Sequence, residues 1–259
     1  MRLLKNKYFM FLLGFLFLIG VWFLLSALVD LNNMIFPSPI ATFKLMFQLL
    51  GEKVTYKYLG FSVLRLIIGF AASFVLAFLL GIIVNNSDAL YNFFTPIIIF
   101  LKAAPTATFV FLFLVLFGGS NAPAFVVVVM CFPILYESVV SALRSTSKSM
   151  LDAAQIDGAN KLKTLLKVQI PLGIPYIVLG IVSTFGMAFK VEIMAEIITG
   201  ITKGGIGTMI KISNLLDGTD LTAMFAYSLM AIILVLIVSI ATSVIKSKVV
   251  KMNETISAD

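Results

Sequence analysis

The 259 residues contain no histidine, a single cysteine and few charges: Asp, Glu, Lys and Arg together make up 12% of the chain. The missing imidazole excludes His-ligated metals, Ser-His-Asp hydrolysis and His proton relays. The lone Cys131 sits in an apolar run, so it forms no internal disulfide and is no reactive thiolate. The scarcity of charge excludes an ordinary soluble domain, where about 25% of residues are charged and about 45–50% apolar. Here 61% are hydrophobic, with a mean hydropathy of +1.10. That composition describes a polytopic membrane domain. At about 20 apolar residues per span, five to seven spans fit. The net charge of +7 belongs to the loops of such a protein and does not point to nucleic acid.

Six long apolar segments follow, at about 8–29, 59–84, 93–117, 122–140, 173–198 and 221–245. The first is longer than the 7–15 residues typical of a signal-peptide core and is expected to be retained. With the N-terminus inside, eleven Lys and Arg fall in inner loops and five in outer ones, with Arg65, Lys102 and Lys190 inside spans. The positive-inside rule therefore places both termini in the cytoplasm. The stretch 30–58 holds Pro37-Ser38-Pro39 and a mildly amphipathic run suited to the outer interface. The stretch 196–220 is an outer loop rich in glycine.

The longest inner loop, 144–171, predicts two short helices. The first begins at Lys148 with Ser147 as N-cap and stops at Gly158, which is expected to be left-handed. The second begins at the N-cap Asn160 and ends before Pro171. Two readings fit: an amphipathic hairpin lying on the surface, or a docking element whose small residues let a partner approach closely.

The residues of this loop decide the family expectation. Asp152-Ala153-Ala154, three residues, Gly158, nine residues, then Val168-Gln169-Ile170-Pro171 resembles the EAA loop of ABC-importer permeases. Ala153, Ala154, Gly158 and Pro171 match in identity and spacing. Asp152, Val168 and Ile170 are conservative departures. Pro96, Pro105, Phe117-Gly118, Phe132-Pro133-Ile134, Ala195-Glu196 and Gly205-Ile206-Gly207 look like the nitrate/sulfonate/taurine-type branch. The resemblance implies an all-α type I permease fold of six transmembrane helices, a single domain over residues 1–259, in the bacterial cytoplasmic membrane. It implies a second permease copy, two ATP-binding cassette ATPases and an extracytoplasmic substrate-binding protein. It further implies ATPase coupling through Asp152, Ala153, Ala154, Gly158, Ala159, Ile170 and Pro171. The chain has no G-x-x-x-x-G-K-[ST] phosphate loop, so ATP and Mg belong to the partner ATPase. No catalytic residue, cofactor or metal site is expected in this chain. The implied substrate is a small anion of the sulfonate, taurine or nitrate type, or a thiamine-precursor pyrimidine or riboflavin-like vitamin.

Charges inside spans are the remaining candidates. Phe185, Phe189, Glu192 and Glu196 share one helical face. Either that face lines the pathway, or it packs, with Glu192 in an internal ion pair and Glu196 at the outer interface. Lys102 precedes Pro105, where the helix should kink or break, and a broken helix beside a charge is a transporter feature. Arg65 is placed to snorkel or to touch substrate, Lys190 to pair or snorkel, and Glu137 to cap or pair. Two rival classes follow from the same residues. An ion-coupled secondary transporter would use Glu192 and Glu196, but leaves the loop without a purpose. A membrane-embedded enzyme would need clustered polar groups at an interface, which the sequence lacks.

Overall fold

The computed structural model describes residues 7–29, 36–200, 204–216 and 220–256. Among them there is no strand. The first helix, α1 (Lys7–Val29), is apolar along its length. α2 (Pro39–Leu50) starts as its sequence dictates: Ser38 Oγ accepts from the Ala41 N–H at 3.3 Å, and Pro39 occupies the first turn, where its missing N–H is no loss. Trp22 Nε1 donates to the Pro37 carbonyl at 3.0 Å, and Ser26 Oγ to that of Phe36 at 3.1 Å. These two bonds tie α1 to the entry of α2.

The next elements are α3 (Lys53–Asn85), α4 (Asp88–Ala103), α5 (Thr106–Phe117), α6 (Ala122–Arg144), α7 (Lys148–Ile156) and α8 (Lys161–Thr164). A π turn (Leu165–Gln169) leads into α9 (Ile170–Thr199), followed by α10 (Ile206–Leu216) and α11 (Thr222–Ile256). Five of the helical segments are long and apolar enough to cross a membrane, or six if the bent pair α4–α5 counts as one. The third of the six expected spans, 93–117, is broken where Pro105 is expected to kink or break it: it is two helices meeting at 95°. Pro105 forces this. Ala104 before it is extended, with ψ 134°, the conformation proline's ring imposes on its predecessor. The other spans run beyond their apolar runs, because helix ends at the interfaces need no apolar side chains. α3 alone covers 33 residues, about 50 Å.

α6 is the centre of the bundle, with α3 on one side and α9 on the other. Small residues make those approaches close. A Cβ on Gly69 would stand 2.6 Å from the Ala124 carbonyl oxygen, and one on Gly81 2.6 Å from Val139 Cγ1. Gly173 and Gly180 on α9 pack onto Ala142 and Ser138 in the same way. In lipid, tight backbone packing replaces the hydrophobic drive that water would supply. Leu66, Ala77, Val126, Val127, Cys131, Leu135 and Phe189 fill the interior.

The second loop helix does not end before Pro171. It runs from Lys161 through the π turn into α9 as one continuous 39-residue segment. Pro171 has no N–H to miss at the start of α9, and the wide turn absorbs its ring: the Ile170 N–H reaches back to the Leu165 carbonyl.

Candidate functional site

Two built features lie at opposite ends of the bundle. At one end stands the 144–171 loop. Ser147 Oγ accepts from the Met150 N–H at 3.4 Å and opens α7. The helix closes with a Schellman pair: the Ala159 N–H bonds to the Ala154 carbonyl at 2.9 Å, and the Gly158 N–H to that of Gln155 at 3.0 Å. Gly158 has φ +76° with nothing near its missing Cβ, so glycine is required there by conformation and not by space. Asn160 Oδ1 then accepts from the Lys163 N–H at 2.9 Å and starts α8.

No residue of α7 is buried. Ile156 is 86% exposed, and Met150, Leu162 and Leu166 are also open. A helix with sound caps but no packed face is held out from the bundle. Its root, by contrast, is anchored. Gln169 is buried, accepts from Asn85 Nδ2 at 3.1 Å and donates to the Leu143 carbonyl at 3.4 Å. Within the motif nothing in the linear sequence marks Gln169 for this role, because both of its partners are distant in the chain. The expected coupling residues therefore divide. Asp152, Ala153 and Gly158 are exposed on or just after α7, Ala154 and Ala159 are half-buried there, and Ile170 and Pro171 sit at the root of α9.

At the far end, α9, α3 and the lead into α10 meet around one carboxylate. Ser62 and Arg65 lie one turn apart on α3. Ser62 Oγ and Arg65 Nη1 each donate to Glu196 at 2.7 Å, and the Gly207 N–H donates to it at 3.0 Å. Arg65 Nη1 also donates to the Gly204 carbonyl at 2.9 Å, while Ser62 Oγ accepts from the Ile206 N–H at 2.9 Å. Glu196 thus acts as the acceptor that the first turn of α10 lacks. Its side chain is 0% exposed and that of Arg65 12%. The glycines make room for this. A Cβ on Gly205 would collide with the Glu196 carboxylate, and one on Gly207 would stand 2.6 Å from Glu196 Cβ and the Ile193 carbonyl oxygen. The snorkelling expected of Arg65 is replaced by this buried pair, and Glu196 is fully covered by this chain's own residues.

The stripe Phe185–Phe189–Glu192–Glu196 is one face, as its spacing predicts, but that face is turned into this chain's own interior. Phe185 meets Phe70 edge-on at 5.0 Å; Phe189, Glu192 and Glu196 are fully buried. Spacing identifies a face without saying what covers it. Glu192 also lacks the expected ion-pair partner: among the described residues, neither of its oxygens has a hydrogen-bond donor. Lys102, in the last turn of α4, pairs with Glu137 at 2.8 Å, both about half exposed, so the pairing expected of Glu137 is found. Lys190 points the other way from Glu192 and is exposed.

Residues 73–251 match the sequence profile of the family described as "binding-protein-dependent transport system inner membrane component". The chain belongs to this family. The permease is therefore an inner-membrane transport component and not an enzyme. It is 26% identical over 132 residues to the glycine betaine/proline betaine transport system permease protein ProW of Escherichia coli, covering 51% of this chain and 36% of that one. It is 24% identical over 141 residues to the nitrate import permease protein NrtB of Leptolyngbya laminosa, covering 54% and 50%. The permease thus spans a third to a half of the length of these relatives. Its fold matches a solved chain of the inward-facing MetNI methionine ABC transporter with a TM-score of 0.64 at 18% identity, over 80% of this chain and 98% of that one.

Proposed function

We propose that the permease is the membrane subunit of an ATP-driven importer, working as a pair with two cytoplasmic ATPases and fed by an extracytoplasmic binding protein. The observation that carries this reading is α7: a capped helix without a buried residue, exposing Ile156, on a root fixed by Gln169. An isolated nine-residue helix is marginal in water, so caps and apolar exposure together favour a partner groove over a bare surface. ATP and Mg reside on that partner. Closure of the ATPases displaces α7, and the continuous segment 161–199 carries the displacement into the bundle. Alternating access follows if both ATP and cargo bias the same pair of states. The excess of Lys and Arg in the loops on the α7 side supports a cytoplasmic placement of that side and of both termini.

The cargo in this reading is a small anion, in keeping with the nitrate relative, or a pyrimidine or riboflavin-like vitamin; the relatives' names range from betaine to nitrate. The deciding experiment is purification of the complex from native membrane in mild detergent, with and without Ile156→Asp. The wild type brings down two ATPase copies per permease pair, and Ile156→Asp loses them while keeping its melting temperature. A wild-type preparation without ATPase, whose uptake follows an ion gradient, refutes the importer reading in favour of a secondary transporter.

A further inference from the structure

The face of α9 opposite the buried stripe carries Ser183, Met187, Lys190, Met194 and Ile197, at i, i+4, i+7, i+11 and i+14. It borders α11 along two adjoining grooves of about 430 and 550 Å³, which share Lys190 and Ser239. The groove nearer the α7 end is mixed: Ser183, Lys190, Ser239, Thr242, Ser243 and Lys246 line it beside Val182 and Met187. The other is apolar, with Ile193, Met194, Ile197, Ala231 and Val235 on its walls. Neither groove is lined by a carboxylate, and no ion pair of Lys190 or Lys246 occurs among the described residues.

Both lysines lie on helices that span the apolar layer. Lys246 is near the end of its span and can reach the interface along its stem. Lys190 lies deeper, with nine residues of α9 beyond it, about 14 Å. An ammonium there facing lipid is costly, so it calls for a polar or anionic neighbour. Hydroxyls on both walls and two cations with no carboxylate in the lining give the groove a positive field, which attracts anions. The acidic residues of α9, by contrast, face the opposite side of the helix and are fully covered.

We propose that this α9–α11 groove is a binding site for a small organic oxyanion. Lys190 and the Ser239 and Ser183 hydroxyls hold the charged group, and the Ile193–Met194–Val235 wall holds a short apolar body. This deepens the importer reading and rests on it. A carboxylate, a sulfonate and a lipid phosphate share the recognising chemistry, so the test separates a soluble anion from a headgroup.

The complex with its ATPase is placed in nanodiscs of zwitterionic lipid, with Cys131→Ser and either Ser239→Cys or Ser243→Cys. Two methanethiosulfonates, the anionic sulfonatoethyl and the cationic trimethylammonioethyl reagent, are timed against each other and normalised to free thiol. The anionic reagent reacts about tenfold faster in at least one position, Lys190→Gln brings the ratio back to unity, and Lys190→Arg keeps it. Methanesulfonate slows the reaction, and choline does not. No labelling at either position, or a ratio indifferent to Lys190→Gln, overturns the site. Protection only in discs containing phosphatidylglycerol overturns the soluble-anion assignment. Retained ATPase with a neutral groove sinks this site alone, whereas absent ATPase sinks the importer reading whatever the ratio.

Discussion

Replacing Glu196 by Gln tests the far-end clasp with almost no change of shape. The carboxylate accepts three donors, from Ser62, Arg65 and Gly207, at 2.7, 2.7 and 3.0 Å. An amide has one acceptor oxygen and turns an NH2 toward at least one of those donors. The larger effect is on Arg65, which at 12% exposure loses the Glu196 carboxylate as an ion-pair partner. Removing one member of a buried pair costs about 3–5 kcal/mol; the residual access of Arg65 to water puts the expectation at about 3 kcal/mol, toward the lower end of that range. For a chain of this size about 2–4 °C accompany each kcal/mol, so the melting temperature falls by roughly 6–12 °C. Cys131, the single thiol and fully buried, provides the assay: a thiol-reactive fluorophore lights up as the bundle opens. Glu192→Gln is the matched control. It lies one turn away, is equally buried and has no hydrogen bond to lose, so its melting temperature stays within about 2 °C of wild type or rises. Equal losses in both variants, or none in Glu196→Gln, would refute the assignment of the clasp.

Three further outcomes are expected. Gly158→Asp puts a side chain at φ +76°, costs about 1–2 kcal/mol locally and weakens ATPase co-purification while the Cys131 melting curve stays in place; unchanged co-purification and transport would remove Gly158 from the coupling role. Gly69→Ala drives a methyl against the Ala124 carbonyl, and overpacking of this kind costs about 1–3 kcal/mol, read as a lower melting temperature; a wild-type value would mean that α3 and α6 separate freely. Lys102→Ala breaks a half-exposed pair with Glu137 and changes stability by less than about 1 kcal/mol, so a large loss of transport without a loss of stability would mark Lys102 as a pathway residue.

The sequence shows spans and caps well because both are local. Hydropathy over 20 residues marks a crossing, and Ser147, Gly158 and Asn160 mark the ends of loop helices by their own chemistry. Pro105 marks the break in the third span by its own chemistry, while the 95° angle follows from the extended backbone of Ala104 and is not legible in the sequence. The π turn escaped for a different reason: an i→i+5 bond has no preferred residue, and Pro171 looked like a stop. The clasp is the instructive miss. Arg65 and Glu196 both read as charges inside spans, yet they are 131 positions apart, and no periodicity within one helix can pair them. Gly205 and Gly207 read as a motif, while their physical reason, a carboxylate pressed against the backbone, exists only in three dimensions.

The π turn between α8 and α9 also fixes a register. It holds one more residue per turn than the α-helices it joins, and each residue of an α-helix advances the chain by about 100° and 1.5 Å. α9 is locked in azimuth by its glycines against α6, so the surplus residue appears as a rotation of everything before it. Removing one residue, Lys167 for instance, would leave the bundle as it is and turn α8 by about 100° about the axis of α9. α7 would then present a different side, intact and correctly capped, yet aimed away from its groove. The direction in which the loop points is thus set by a count of residues, independently of the identity of any one of them.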